Sequence, residues 1–136
     1  MSDSNDSERT ILVVDDTLDI RRMLSEGLRQ KGYRVITAAN GHQAVEFAQS
    51  ARPDLILMDL NLPVLDGLAT TSLIREYAQL NKVPILAITA YDMSGMKEAA
   101  LAAGCDAYIT KPIDLERLGE LLSDILGSHN AGQGEL

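Results

Sequence analysis

Three apolar runs in this chain each end on a residue type that serves phosphate chemistry. Ile11-Leu12-Val13-Val14 leads into Asp15-Asp16, Leu55-Ile56-Leu57-Met58 into Asp59, and Ile85-Leu86-Ala87-Ile88 into Thr89. A shorter run, Ala107-Tyr108-Ile109-Thr110, delivers Lys111 and then Pro112. Brought together, three carboxylates, a hydroxyl and an ammonium would suit a divalent cation and a phosphoryl group. Two carboxylates about 4 Å apart repel by roughly 4 kcal/mol at an effective dielectric of about 20. A hard dication removes that penalty, and Mg2+ takes one or two carboxylates, a carbonyl and several waters. Asp15, Asp16 and Asp59 therefore read as a metal site, and the lack of a cysteine or histidine near these run ends argues against Zn2+. Asp59 is the candidate nucleophile, because a carboxylate can attack phosphorus to give an aspartyl phosphate. Lys111, the Thr89 hydroxyl and a backbone N–H would cradle the phosphoryl oxygens, and positioning with electrostatic stabilisation suffices for such a reaction.

Convergence of those residues requires the runs to be neighbouring parallel strands. The strand patterns cover 10–15, 33–38, 54–59, 83–89 and 107–110, with helical patterns between them. Over 18–31, Ile20, Met23, Leu24, Gly27 and Leu28 fall on one face, and Gly32 follows as a stop. The second helix is expected after Asn40, with Gln43 as capping-box partner, and runs to about Ala51. The third begins near Asp66-Gly67 and carries Leu68, Leu73, Ile74 and Tyr77. The fourth covers about 93–103 and stops at Gly104, and the last is capped by Asp114 and striped by Leu115, Leu118, Leu121, Leu122, Ile125 and Leu126. The inner strands are continuously apolar, as in a parallel sheet covered on both faces, whereas 33–38 is mixed and reads as an edge. Alternation of β and α with right-handed crossovers gives a doubly wound five-stranded α/β fold with five helices. In such sheets sites form at the carboxyl ends of the strands.

The chain has 136 residues, enough for one domain with one core, and a soluble balance of 46% hydrophobic and 24% charged residues. One cysteine, Cys105, excludes an internal disulfide and fits a reducing compartment. With no signal pattern and no long apolar run, a cytoplasmic protein with no membrane contact is expected. A net charge of −8 without a Lys/Arg-rich stretch excludes direct nucleic-acid binding. Residues 1–8 and 128–136 read as flexible tails around a domain over 9–127.

The pair Asp15-Asp16, the block from Leu57 through Asp59, Asn61, Pro63 and Asp66 to Gly67, the pair Thr89-Ala90 and the pair Lys111-Pro112 stand in order, each at its own strand end. In these residues the chain, over about 9–127, resembles the receiver domain of two-component response regulators. The resemblance implies the strand order 2-1-3-4-5 and a phosphoryl group accepted on Asp59 from the phosphohistidine of a sensor histidine kinase. It implies Mg2+ held directly by Asp16, mainly through water by Asp15, and by Asp59 and the Asn61 backbone carbonyl. It implies a cis Lys111-Pro112 bond aiming Lys111 into the site. After phosphorylation Thr89 would move toward the phosphoryl oxygens and Tyr108 would follow inward, changing the surface of the fourth helix, fifth strand and fifth helix. Asn61 and Tyr91, two residues after the acceptor and the threonine, border the path of attacking water, and a bulky Tyr91 is expected to slow hydrolysis.

With no output domain of its own, such a chain would signal through a downstream protein or relay phosphate to a histidine phosphotransfer protein, as a monomer or a phosphorylation-dependent dimer. Two other classes compete. A Mg2+-dependent phosphohydrolase with an aspartyl-phosphate intermediate usually has a second acid two residues after the nucleophile, where this chain has Asn61. A non-phosphorylated interaction module would not need the full acceptor set. A flavin-binding protein of similar topology would need a phosphate-binding loop where Asp15-Asp16-Thr17 stands.

Overall fold

The computed structural model describes residues 9–62, 66–90 and 94–134. Five strands, β1 (Thr10–Val14), β2 (Arg34–Ala38), β3 (Leu55–Asp59), β4 (Ile85–Thr89) and β5 (Ala107–Thr110), form one parallel sheet in the order β2-β1-β3-β4-β5. The helices α1 (Leu18–Gln30), α2 (Gly41–Ala51), α3 (Gly67–Arg75), α4 (Ser94–Ala103) and α5 (Leu115–Gly134) make the crossovers, with one 3-10 turn at Ala78–Leu80. This is the expected doubly wound α/β architecture, with β2 at an edge.

The apolar runs work because side chains alternate across a strand. Ile11, Val13, Leu55, Leu57, Leu86 and Ile88 face Leu24 and Leu28 of α1 and Leu118, Leu122 and Leu126 of α5. Their neighbours Leu12, Val14, Ile56, Met58, Ile85 and Ala87 face Ala44 and Ala48 of α2, Ile74 of α3 and Ala100 of α4. A strand covered on both faces has no polar phase, so each run stays apolar until it leaves the sheet. Gly32 and Gly104 take positive φ angles of 99° and 118° and end α1 and α4 where stops were expected.

The structure corrects some helix faces. Met23 of α1 is exposed, and Ser25 is buried in its place. Met23 lies 100° of helix rotation from Leu24, past the rim of the stripe that Leu24 and Leu28 centre on the sheet. Leu73 and Tyr77 are also exposed, and Tyr77 lies beyond the end of α3. Beside Ile74, buried as expected, the helix buries Gly67, Thr70 and Thr71, and these small residues allow α3 its close approach. Gln43 supports α2 as expected, but its Oε1 accepts from Ala39 N–H (2.8 Å) while Asn40 Oδ1 accepts from Gln43 N–H (2.8 Å). Helix α5 continues through 128–134, read from sequence as a tail. No proline interrupts it, and each added residue needs only one further hydrogen bond. The expected tail 1–8 lies outside the described residues.

Arg75, at the end of α3, fastens the opposite pole of the sheet. Its Nε and Nη2 donate to Gly104 O (3.0 and 2.7 Å), and Nη1 donates to Leu80 O (2.9 Å). Nη2 also meets Asp106 Oδ2 at 3.0 Å, and the same oxygen accepts from Ile85 N–H at 2.8 Å. One guanidinium thus satisfies the carbonyls of two loops. Replacing it leaves two part-buried carbonyls without their donor, so Arg75→Met is expected to lower unfolding free energy by about 1–3 kcal/mol in urea titrations. A loss within experimental error would contradict this role.

Candidate functional site

Register brings the acids together. Val14 pairs with Met58 and Asp59 with Ile88, while Thr89 pairs with Thr110 just before Lys111. Asp15 continues the Ile11, Val13 phase and Asp59 the Leu55, Leu57 phase, so alternation puts both carboxylates on one side. Both aspartates are buried, and Asp16, next along, is exposed. Ligand oxygens of Asp15, Asp16 and Asp59 all lie within 4.8 Å of one another.

The two buried aspartates are held by the same device. Asp15 Oδ1 accepts from Thr17 N–H (2.8 Å), and Asp59 Oδ1 accepts from Asn61 N–H (2.9 Å). Each is an Asx turn, in which the carboxylate fixes the loop two residues on. That leaves the two Oδ2 atoms. Asp59 Oδ2 lies 3.4 Å from Lys111 Nζ. Asp15 Oδ2 is buried with no hydrogen-bond partner. A buried carboxylate oxygen without a partner is costly, and burial is the first cause that pushes the Asp15 carboxyl up to about 6. The Thr17 N–H opposes that rise, and the charge of Asp59 adds to it.

Neighbouring loops complete the edge. The Lys111-Pro112 bond is cis, as expected, and Lys111 N–H donates to Thr89 O (2.8 Å). Thr89 is buried at the end of β4, and Leu60 N–H donates to Ile88 O (2.9 Å). Tyr108 is half-buried on β5, with Lys97 Nζ 5.8 Å from its ring centroid, inside cation–π range. Asn61 is exposed beside Asp59. Tyr91 and residues 63–65 of the quoted motif lie outside the described residues.

Sequence reasoning missed two supporting residues. Gly67 was read only as the start of α3 after the Asp66 cap, and Asp66 Oδ1 does accept from Ala69 N–H (2.8 Å). A Cβ on Gly67, however, would fall 2.6 Å from Leu60 Cα and closer still to the Asp59 carbonyl oxygen. Only glycine lets α3 start against the backbone that carries the acceptor. Arg21 Nη1 donates to Asp15 O (2.8 Å), tying α1 to the loop between the strand and the helix. The Gly67 signal lay in its spacing from Asp59, while Arg21 carried none beyond its place off the apolar face.

The donor set is all oxygen, acidic and partly unpartnered, which fits a hard divalent cation. Fold and site together define a doubly wound α/β domain with an acidic oxygen site at the carboxyl edge of its sheet. Residues 11–123 match the family model described as "Response regulator receiver domain". The chain is 35% identical over 119 residues to the polar-differentiation response regulator DivK of Brucella anthropi, covering 88% of this chain and 97% of that protein. It is similar to the chemotaxis protein CheY4 of Vibrio cholerae (36% identity, TM-score 0.83, covering 85% and 97% of the two chains). It is also similar to the receiver domain of a sensor histidine kinase from Pseudomonas aeruginosa, whose structure has a magnesium ion coordinated in the active-site cleft (40% identity, TM-score 0.82, covering 88% and 98%). The chain belongs to the response-regulator receiver domain family of two-component signalling.

Asp15 gives the metal-free protein a definite pH response. A carboxyl whose pKa is raised on folding contributes stability that is complete below its ordinary pKa and lost as pH rises through the folded value, here about 6. In EDTA, the melting temperature of the wild type relative to Asp15→Asn should therefore fall as pH rises from the ordinary value of 3.8 through about 6, and level off above that. A difference independent of pH would rule out a raised Asp15.

Proposed function

We propose that this chain is a phosphoacceptor switch whose acceptor is Asp59. A carboxylate oxygen of Asp59 attacks the phosphorus of a kinase or phosphotransfer-protein phosphohistidine. The P–N bond breaks, its electron pair returns to the imidazole, and an aspartyl phosphate is left on Asp59. The observation that carries this reading is the pair of Oδ2 atoms, one orphaned on Asp15 and one beside Lys111 on Asp59. Asp15, Asp16 and Asp59, with the Asn61 carbonyl, are the residues that would hold Mg2+. When bound, the ion supplies positive charge against the phosphoryl oxygens.

Lys111 is already beside the acceptor, so transfer to a phosphoryl oxygen needs only a small movement of its Nζ. Thr89, at the neighbouring strand end, offers its hydroxyl to another oxygen, and Tyr108 follows into the space it leaves. The readout is the α4, β5 and α5 face, where Tyr108, Pro112, Arg117 and Leu121 line a hollow of about 520 Å³. A downstream protein docks there, or phosphate is relayed onward, from a monomer or a phosphorylation-dependent dimer. Among the described residues no helix is long and apolar enough to cross a membrane, and a cytoplasmic place is part of this proposal.

Incubation with Mg2+ and acetyl phosphate should add one phosphoryl group in intact mass, absent in EDTA and absent in Asp59→Asn. An adduct that persists in Asp59→Asn would refute the assignment. In this reading the lifetime of that adduct depends on Asn61 and Tyr91, two residues after the acceptor and the threonine. Tyr91→Ala should therefore lose phosphate several-fold faster, about 1 kcal/mol of barrier, whereas an unchanged or slower loss would remove Tyr91 from that role.

A further inference from the structure

The chain carries a net charge of −8, yet three of its twelve Lys and Arg side chains line one hollow on the flank of α1. Its volume is about 350 Å³, within the range of small-molecule sites. It is lined by Arg21, Arg22, Ser25 and Arg29 of α1 and Thr37 of β2, together with Leu18 and Glu26. These helix positions recur every three or four residues and so form one face, opposite in character to the apolar face that packs on the sheet. Among the described residues none of the three arginines is in an ion pair. Arg21 gives Nη1 to Asp15 O, and Arg29 Nη2 reaches Val35 O at 3.5 Å. Glu26 is exposed and pairs with none of them.

Ser25 lies beneath the same hollow. Its side chain is 4% exposed, and its Oγ has no hydrogen-bond partner. Buried hydroxyls are nearly always paired. Three forked guanidinium groups around one hollow match a ligand rich in strong acceptor oxygens, and phosphate is the anion that best uses such a set.

We propose that this hollow is a binding site for a small phosphate-bearing anion, separate from the acidic edge. The test is an amide chemical-shift titration of the full chain in EDTA, with inorganic phosphate, ADP and chloride at matched ionic strength. Phosphate or ADP should move the amides of Arg22, Ser25, Arg29 and Thr37 saturably, and chloride should not. Arg22→Gln and Arg29→Gln, both at exposed positions, should each weaken binding by about tenfold, with the spectrum elsewhere unchanged. Tighter binding of ADP assigns a nucleotide as the source of the phosphate, and equal affinity assigns free phosphate. Shifts no larger than with chloride, shifts unaffected by both substitutions, or saturation by a polyglutamate peptide in place of phosphate would overturn the proposal.

Discussion

Two buried carboxylates at adjacent strand ends are the constraint around which this molecule is arranged. Asp15 and Asp59 stand side by side because β1 and β3 pair in parallel register and both acids follow their strands in the same phase. Each commits one oxygen to its own loop through an Asx turn. Of the remaining oxygens, Asp59 Oδ2 has the Lys111 ammonium at 3.4 Å. Like charges in that position oppose folding, so the surrounding backbone must be over-determined. Gly67 brings α3 against the Asp59 carbonyl, Arg21 ties down Asp15, and Lys111 N–H is bonded to Thr89 O. Removing the acids would relieve the repulsion but leave these fastenings with nothing to hold.

The sheet behind the edge explains why a local charge event can be read at a distance. Strands β3 and β4 are fully buried, with core side chains on both faces. Interiors packed to that density do not deform gradually. Under the proposed mechanism, a change in charge at Asp59 would be absorbed by groups at the rim of the core: the Lys111 ammonium, the Thr89 side chain and the half-buried Tyr108. Tyr108 packs against the α2, α3 and α4 side of the core while lining a surface hollow, so one side chain touches both the interior and the surface. This is the arrangement that a two-state switch requires, with a stiff scaffold and one or two side chains at its edge.

The fold and the acidic edge were legible because parallel strands buried on both faces leave continuous apolar runs, and each run ends where a polar residue becomes tolerable. Asp15, Asp59, Thr89 and Lys111 were therefore marked by the sheet itself. Helix faces were less legible. Met23 and Leu73 are apolar but sit at the rims of their stripes, where hydropathy does not tell a rim from a centre. The Arg75 network was invisible because its partners are carbonyls of Leu80 and Gly104, and backbone acceptors leave no trace in side-chain identity. Gly67 was visible as a glycine but not as a contact, since what it meets is the backbone of Asp59 and Leu60.

Charge is segregated along α1 in a way that gives Arg21 a particular position. The loop before the helix carries Asp15 and Asp16, and the helix flank carries Arg21, Arg22 and Arg29. Arg21 belongs to both regions, lining the basic hollow while its Nη1 holds the Asp15 carbonyl. An anion in the hollow and a phosphoryl group at Asp59 would act on opposite sides of the same short stretch of backbone. Coupling between two sites is reciprocal in free energy, so whatever an occupant of the hollow does to the acidic edge, the edge must return. Among the described residues, the Arg21 hydrogen bond to the Asp15 carbonyl joins the two directly. Influence between the two sites would thus fall on the position of Asp15, a buried acid whose second oxygen has no partner of its own.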